Sequence, residues 1–304
     1  AHGTNPATAA MAGYDVIDVA SGPDGCVSFD DITDPVTGKV KRGFNSVLQE
    51  HGQDIAGLMI TNPNTLGIFE SRIGDVCSEI HRVGGLVYMD GANMNALVGV
   101  ARPGDFGIDV MHMNLHKTMS TPHGGGGPGA GPVACIEALE PFLPRPIVLR
   151  ETKKIGEGEV PEHRYRWEWN RPQSIGKVHT FFGNFGMLVR ALTYCMSHGS
   201  DGLREATLRA IVNANYVRSQ LVGFYHLPIT SPTMHEVVFN DSIQAKNGVH
   251  TLDIAKRLID YGFHPPTVYF PMVVSGALMI EPTETESKEE LDAFIHAMKS
   301  IARE

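Results

Sequence analysis

The chain has 304 residues, of which 42% are hydrophobic, and its 25 Lys and Arg against 34 Asp and Glu give a net charge of -9. A chain of this length can bury a sizeable core, and we expect a large domain over residues 1–222 and a smaller one over residues 223–304. The acidic balance argues against a nucleic-acid-binding protein. No apolar run reaches the ~20 residues that cross a bilayer, which argues against a membrane protein.

Short apolar runs bounded by turn signals predict a series of strands in the first half of the chain. The predicted strands are residues 14–20, 55–61, 86–89, 108–113 and 131–136. Helices are predicted between them over residues 44–51 and 71–83, the second from the spacing of its apolar residues. Strands that alternate with helices in this way are typical of an open, mostly parallel α/β sheet with helices on both faces.

The second half of the chain begins with a change of character. Residues 141–172 are rich in proline and charge and predict a long irregular excursion over a site or a subunit interface, with Trp167 and Trp169 buried. Two long helices follow over residues 174–198 and 203–223. The smaller α/β domain is predicted to contain strands 235–239 and 277–280 and helices 251–261 and 287–303.

Several polar residues lie at or just past the ends of predicted strands. They are Thr61 and Asn62, then Asp90, and then His116 and Lys117. Ligands of open α/β sheets bind at the carboxyl ends of the strands. The sequence therefore predicts a site at this edge, with Lys117 at its centre.

A lysine in such company can serve covalent chemistry. Pyridoxal phosphate needs a lysine for its Schiff base, a carboxylate at its pyridine nitrogen, a cover for the ring and donors for its phosphate. Lys117 and Asp90 could supply the first two. Ala92 is small enough to lie against one ring face, His2 could stack on the other, and His116 could donate to the phosphate.

Other sites are weaker interpretations of the same stretch. The glycines of residues 124–131 lack the G-K-[ST] of a Walker loop and the helix start of a dinucleotide fingerprint. His112 and His116 share a strand face but are too far apart for one metal, and position 113 is Met rather than the Glu of a zincin motif, so we expect no metal. No G-x-S-x-G motif supports a hydrolase. We interpret the glycine run as backbone that passes close to cofactor, substrate or another subunit.

Motifs along the whole chain resemble the glycine decarboxylase family, the P-proteins of the glycine cleavage system, which are fold-type I pyridoxal-phosphate enzymes. The motifs are residues 1–7 (A-H-G-T-N-P-A), 88–95 (Y-M-D-G-A-N-M-N), 114–118 (N-L-H-K-T), 122–129, 171–176 (R-P-Q-S-I-G), 181–184, 261–267 and 281–287 (E-P-T-E-T-E-S). The resemblance implies the fold-type I transferase fold and a cofactor held as a covalent aldimine on Lys117. The residues expected at the cofactor are Lys117, Asp90, Ala92, His2, His116, Thr4 and Asn114.

The resemblance also implies a reaction and its partners. Glycine would lose its carboxylate as carbon dioxide, and its aminomethyl group would pass to the lipoyl arm of H-protein, the activity of an aminomethyl-transferring glycine dehydrogenase. Candidates for holding glycine are Asn95, His123 and Arg171. A homodimer, or a heterotetramer with a cofactor-free subunit, is the expected assembly. Four cysteines without C-x-x-C spacing indicate a reducing compartment, either bacterial cytoplasm or mitochondrial matrix.

Two alternatives stay open from the residues alone. One is another fold-type I enzyme, such as a cysteine desulfurase or an amino-acid decarboxylase. The other is a non-catalytic, truncated subunit, because members of the family have a long segment before the motif at Ala1 whose loop supplies much of the phosphate cradle. We expect this chain to be the C-terminal part of a cofactor-bearing subunit, with an incomplete site.

Overall fold

A computed structural model gives the architecture of residues 3–34, 37–122, 130–153, 162–180 and 182–304. The α-helices in these ranges are α1 (Thr4–Met11), α2 (Phe44–His51), α3 (Ile73–Arg82), α4 (Leu115–Thr118), α5 (Phe185–Leu221), α6 (Thr251–Asp260) and α7 (Lys288–Ile301). The strands are β1 (Ile32–Thr33), β2 (Val40–Lys41), β3 (Gly57–Thr61), β4 (Leu86–Gly91), β5 (Val110–Met113), β6 (Val133–Cys135), β7 (Ile147–Lys153), β8 (Glu162–Glu168), β9 (Val237–Asn240), β10 (Thr267–Val268) and β11 (Ala277–Ile280).

The central sheet has the strand order β3-β4-β5-β6. Strands β3, β4 and β5 are parallel, and β6 runs antiparallel to β5 at the edge. The parallel strands are short apolar runs that enter the core, as the sequence predicts for strands covered on both faces. Because parallel strands end at the same edge, the residues that follow β3, β4 and β5 are brought together there.

Helix α3 packs on this sheet through its apolar stripe. Ile73, Val76 and Ile80 are buried in one cluster with Val87 and Met89 of β4. These positions recur at the i, i+3, i+7 spacing that places side chains on one helix face, which confirms the predicted helix. Gly84 then takes a positive φ of 86° just after the helix, a conformation that favours glycine and ends the helix.

A smaller antiparallel sheet, of order β10-β11-β9, lies in the C-terminal part. Its core joins Phe239 and Leu278 of the sheet to Leu258 of α6 and Met298 of α7. The same cluster includes Leu221 at the end of α5, so the apolar core crosses the predicted boundary between residues 222 and 223. That boundary stays a prediction.

One predicted element of the large domain is wrong, and another begins later than predicted. Residues 14–20 form no strand in the part of the chain that the structure describes, because an alternating pattern without a strand partner has no ladder to join. The two long helices predicted over residues 174–198 and 203–223 are the two segments of α5, which meet at a kink where Gly199 leaves helical geometry, but the first begins only at Phe185. Within the described ranges no helix is long and apolar enough to cross a membrane.

The predicted irregular excursion over residues 141–172 is also wrong in part. Strands β7 and β8 form a regular antiparallel hairpin within it, paired from Ile147 with Glu168 to Lys153 with Glu162. Trp167 is 50% exposed and Trp169 53% exposed, against the prediction that both are buried. Among the described residues the two strands pair only with each other, so most of their side chains are accessible. The Trp167 ring stacks on Phe182 at 4.6 Å instead of entering a core.

Truncating the C-terminal core is expected to destabilise the protein. Leu278 is fully buried, so Leu278→Ala should lower the free energy of unfolding by about 2–5 kcal/mol through lost burial and a residual cavity. Urea unfolding followed by circular dichroism measures this change. Val212, 65% exposed on α5, is the control, and Val212→Ala should change the free energy by less than about 0.5 kcal/mol. Equal effects of the two substitutions would contradict the packing.

Candidate active site

Asp90 lies at the carboxyl end of β4, between the ends of its two parallel neighbours. In the sheet register it stands opposite Thr61 of β3 and His112 of β5. The side chain is 5% exposed, and both carboxylate oxygens are engaged. Its Oδ1 accepts from the Ala92 N–H at 2.9 Å and lies 3.1 Å from His112 Nε2, and Oδ2 accepts from Asn5 Nδ2 at 3.1 Å.

These donors keep the Asp90 carboxyl ionised in spite of its burial. Burial by itself raises the pKa of this carboxyl. The hydrogen bonds from His112, the Ala92 N–H and Asn5 outweigh burial and lower the pKa of Asp90 to about 2. A carboxylate has about four lone-pair positions, so three hydrogen bonds leave room for one more donor. Asp90 can therefore present a negative charge to the N–H of a ligand.

Gly91 allows β4 and β5 to lie close together next to the pair formed by Asp90 and His112. A Cβ at Gly91 would collide with the backbone carbonyl of His112. Glycine at this position therefore keeps the register in which Asp90 faces His112. Ala92, the next residue, is half-buried, and its N–H donates a hydrogen bond to the Asp90 carboxylate. Its methyl group is a small apolar surface beside the carboxylate.

His112 has a role that the sequence did not reveal. Its Nε2 faces Asp90, and its Nδ1 lies 2.8 Å from the hydroxyl of Tyr88. Since Asp90 can only accept, Nε2 is the nitrogen that carries the proton. Both ring nitrogens are thus engaged within the protein, and His112 acts as an orienting partner of Asp90. Its register position opposite Asp90 was the available signal, but that register could not be deduced before the strands were paired.

Lys117 lies in α4, which begins two residues after β5 ends. Asn114 precedes this helical turn, and its carbonyl accepts from the N–H groups of Lys117 at 3.0 Å and Thr118 at 3.2 Å. Leu115 is buried and anchors the turn, whereas Lys117 is exposed. His116 beside it is half-buried. The turn contacts the 3-10 turn Met94–Ala96, which follows Asp90 in the chain. The loops after β4 and β5 therefore meet.

Helix α1 brings the beginning of the described chain to the same place. Its residue Asn5 is 5% exposed and hydrogen-bonds Asp90 across 85 residues of sequence. Thr4, proposed as a cofactor contact, is exposed at the start of this helix. Asn5 was missed from the sequence because a lone Asn carries no pattern. Its nearness to Thr4, within one short motif, was the usable signal.

Two predicted site residues lie outside the residues that the structure describes. They are His2, predicted to stack on the ring, and His123, predicted to contact substrate. The glycines of residues 124–127 and Gly129 also fall outside them. The predictions for these residues stay predictions.

The other two substrate candidates have different surroundings. Asn95 lies in the turn Met94–Ala96, and its amide donates to Glu281 Oε1 at 3.1 Å, which links the central sheet to the C-terminal part. Arg171 is 10% exposed and pairs with Glu140 at 2.9 Å. Its described contacts include neither Asp90 nor Lys117. The structure thus brings Asn95, but not Arg171, to the carboxyl edge of the sheet.

Comparisons with known sequences agree along the whole chain. A family model described as "Glycine dehydrogenase, C-terminal domain" matches residues 206–304. A "Probable glycine dehydrogenase (decarboxylating) subunit 2" of Pelodictyon phaeoclathratiforme is 52% identical over 305 residues, which cover 100% of this chain and 58% of the relative. A protein of the same description from Caldanaerobacter subterraneus is 48% identical over 304 residues, with the same two coverages, 100% and 58%. The chain therefore spans 58% of the length of these relatives.

Solved structures with the same architecture include two kinds of enzyme. A glycine decarboxylase, the P-protein of the glycine cleavage system, has a TM-score of 0.69 at 20% identity, covering 82% of this chain and 56% of that one. A cysteine desulfurase from Thermococcus onnurineus has a TM-score of 0.63 at 15% identity, covering 97% and 68%. At these identities the likeness shows the fold alone. It confirms the predicted fold-type I architecture.

Proposed function

Because this chain is 52% identical to a protein described as a probable glycine dehydrogenase (decarboxylating) subunit 2, we propose that it carries the lysine and the carboxylate of a pyridoxal-phosphate site that decarboxylates glycine. The observation that supports this proposal best is the pair of strand ends. Asp90, buried and ionised, ends β4, and Lys117 follows the end of the neighbouring strand β5. A fixed negative charge and an accessible amine at the ends of neighbouring strands are what this cofactor needs.

Other polar groups at the same edge fit a ligand with several hydrogen-bonding positions. Among the described residues, the Thr61 hydroxyl, the Asn62 amide nitrogen and the Thr118 hydroxyl are buried without a hydrogen-bond partner. Buried polar groups that lack partners are costly, so a polar ligand that reaches them would be stabilised there. Thr61 lies opposite Asp90 in the sheet register, and Asn62 is the next residue in the chain. Thr118 directly follows Lys117. The residues present therefore fit the cofactor.

When bound, pyridoxal phosphate supplies an electron-withdrawing ring that stabilises the charge left on the α-carbon of glycine as its carboxylate departs. Lys117 would hold the cofactor covalently through its amine. Asp90 would keep a proton on the ring nitrogen, because a carboxyl whose pKa is about 2 stays charged at neutral pH. His112 and Asn5 orient Asp90 by hydrogen bonds from either side.

The remaining predicted contacts are part of this proposal. Ala92, half-buried next to Asp90, would lie against one face of the ring. His116, beside Lys117, would help to hold the phosphate. We assign the other expected contacts to His2, Thr4 and Asn114.

We also propose a lipoylated H-protein as acceptor of the aminomethyl group, and a cofactor-free subunit as partner in a heterotetramer, with a homodimer as the alternative. The description of the relatives as "subunit 2" supports a partner subunit. The similar glycine decarboxylase is described as the P-protein of the glycine cleavage system, which supports H-protein. These relatives are bacterial, and the bacterial cytoplasm is the location that we propose.

The test is exchange of labelled carbon dioxide into the carboxylate of glycine, catalysed by the complete purified protein. Exchange should require both pyridoxal phosphate and lipoylated H-protein, and H-protein without lipoate is the matched control. A cysteine desulfurase would instead release sulfur from cysteine without H-protein. Only a similarity of fold, at 15% sequence identity, supports that alternative. Absence of exchange in the complete, cofactor-loaded assembly would count against the proposal.

A further inference from the structure

A second group of ionisable side chains lies between the C-terminal sheet and the lysine. His235 and Glu236 immediately precede β9, and Glu281 immediately follows β11. These strands are antiparallel, with Ile280 opposite Val237, so the residue after one strand meets those before the other. We name His235, Glu236 and Glu281 the acid–imidazole cluster.

The members of the cluster are close together and mostly buried. His235 Nε2 lies 3.7 Å from Glu236 Oε2 and 3.9 Å from Glu281 Oε1. The side chains of His235 and Glu236 are 0% and 3% exposed, whereas that of Glu281 is 42% exposed. The cluster is thus enclosed on the His235 side and open to solvent at Glu281.

The buried polar atoms of this cluster lack protein partners. Among the described residues, both ring nitrogens of His235 and Oε1 of Glu236 make no hydrogen bond. Fully buried polar atoms almost always have partners, and each one without a partner requires an explanation. Of these unpartnered atoms, His235 Nε2 faces Glu281 Oε1 at 3.9 Å. A small ligand with several N–H donors would satisfy both carboxylates at this opening.

Tight backbone packing fixes Glu236 in this position. Gly67, with a φ of 74°, approaches the backbone carbonyl of Glu236 so closely that a Cβ there would collide with it. The Thr233 hydroxyl donates to the same carbonyl. The backbone beneath the buried carboxyl is therefore held by contacts that few other residues would allow at position 67.

Lys117 is the cation that faces the acid–imidazole cluster. Its ammonium lies close enough to act electrostatically on all three members. Other groups that act on the cluster are the Gly67 backbone, which hydrogen-bonds Glu236, Asn95, which donates to Glu281, and Glu284, which repels Glu281. The charge of Lys117 therefore influences every member of the cluster.

The protonation of the cluster is set by its burial. Burial raises the pKa of Glu236 to about 8, with repulsion by Glu281 adding to it. Burial lowers the pKa of His235 to about 3, so the ring is neutral at pH 7. Burial also raises the pKa of Glu281. The pair of carboxyls can therefore gain or lose a proton near neutral pH, while the imidazole supplies an uncharged neighbour.

We propose that the acid–imidazole cluster is a receptor for the ammonium group of the amine substrate, and that it passes one proton between that amine and Lys117. The geometry supports this, because carboxyl oxygens at the ends of two strands converge on His235 with an opening to solvent at Glu281. The identity of the amine as glycine rests on the proposed function. The receptor itself recognises a primary ammonium group, whatever the rest of the substrate is.

The proton transfer balances without any other reactant. The incoming ammonium gives one proton to a carboxylate of the cluster, which leaves its nitrogen with a lone pair for attack. The resulting carboxylic acid would give that proton to the Lys117 nitrogen as the lysine is released, and the second proton that the substrate nitrogen loses would pass directly to the lysine nitrogen. No electrons are gained or lost by the protein. A carboxyl whose pKa lies near the working pH suits both halves of the exchange.

Methylammonium tests the receptor without the cofactor. In the complete protein the Lys117 ammonium competes for the cluster, so Lys117→Ala should bind methylammonium more tightly than the unmodified protein. Calorimetry gives the dissociation constants. Adding Glu236→Gln should weaken binding by at least about tenfold, since a charged hydrogen-bond acceptor is lost. Adding Glu286→Gln, at an exposed acid of the same segment, should leave binding unchanged.

Further measurements separate the receptor from a structural role. Tetramethylammonium has the same charge without N–H donors and should bind weakly to every variant. Methylammonium binding should tighten as pH rises towards about 8, where Glu236 ionises, and Glu236→Gln should remove that dependence. If Glu236→Gln does not fold, Glu281→Gln, at the exposed side of the cluster, serves instead with the same expected weakening.

Three results would overturn the inference. The first is methylammonium binding that neither Glu236→Gln nor Glu281→Gln weakens. The second is equal affinity in the presence and absence of Lys117. The third is stoichiometric Zn²⁺ binding that these variants abolish and methylammonium does not displace, which would assign the cluster to a metal. Methylammonium binding needs no cofactor, so a protein that binds it but fails in the glycine exchange assay contradicts the proposed function and not the receptor.

Discussion

Lys117→Ala is expected to abolish covalent binding of pyridoxal phosphate. Alanine has no amine to bond the aldehyde of the cofactor, so the absorbance band of the bound cofactor should disappear. Glycine turnover should fall by more than about a thousandfold, as when a covalent nucleophile is removed. Lys117 is exposed, so the variant should still fold, and only its electrostatic interaction with the acid–imidazole cluster is lost. Reduction with borohydride followed by mass spectrometry of the peptide locates the attachment directly.

Lys256→Ala is the matched control for this experiment. Lys256 is an exposed lysine on α6, away from the edge of the central sheet. The control should keep the absorbance band, the reduced adduct and glycine turnover. A reduced adduct that persists in Lys117→Ala, or that maps to another lysine, would refute the assignment of Lys117.

Asp90→Asn is expected to have the second-largest effect. The variant keeps the shape of the side chain but loses the charge that would hold a proton on the ring nitrogen. Glycine turnover should fall by at least about a hundredfold, since an electrostatic group aimed at developing charge is lost. The cofactor should still attach to Lys117. Asp105→Asn, at an exposed carboxylate paired with Arg102, is the control and should keep full turnover.

The same substitution has a predicted signature in the pH dependence of stability. The folded state lowers the pKa of Asp90 from its ordinary value of 3.8 to about 2. A carboxyl whose pKa is lower in the folded state stabilises that state at pH values above its unfolded pKa. This contribution is lost as pH falls from 3.8 towards 2. Asp90→Asn should remove that part of the acid dependence in urea unfolding. Full turnover in Asp90→Asn, or an unchanged acid profile, would contradict the role given to Asp90.

Local pattern was sufficient for many of the secondary-structure elements. Helix α2 has the predicted bounds, 44–51, and β11 has its predicted bounds, 277–280. Helices α3 and α7 differ from prediction by one or two residues at each end. In these segments the apolar residues are regularly spaced, and the face that they form is the face that is buried in the structure. Local propensity and tertiary packing therefore agree.

The errors have a common physical cause. A strand needs a partner strand along its length, and in the described chain residues 14–20 pair with no strand, although Ala20 hydrogen-bonds the backbone of Arg42 and Ser28. The hairpin of β7 and β8 formed in a segment whose prolines and charges predict a loop, because its two strands pair with each other without entering a core. Pairing is decided between segments, and a single-sequence pattern reports only the preferences of each segment.

The sequence alone determined the fold class and the two residues at the centre of the candidate site. Short apolar strands that alternate with helices specify a parallel sheet, and the carboxyl ends of such strands mark where Asp90 and Lys117 must lie. These conclusions rest on local patterns and on motifs that lie within a few residues of each other.

Tertiary structure alone decided which residues contact Asp90 and which surround the edge of the sheet where Lys117 lies. Asn5 meets Asp90 across 85 residues, and Asn95 meets Glu281 across 186. His112 faces Asp90 through strand register, and His235 reaches the surroundings of Lys117 through the docking of a separate sheet. Such contacts are fixed by which apolar faces are buried against each other over the whole chain. No local spacing encodes them, because their energy is gained only when distant segments pack together.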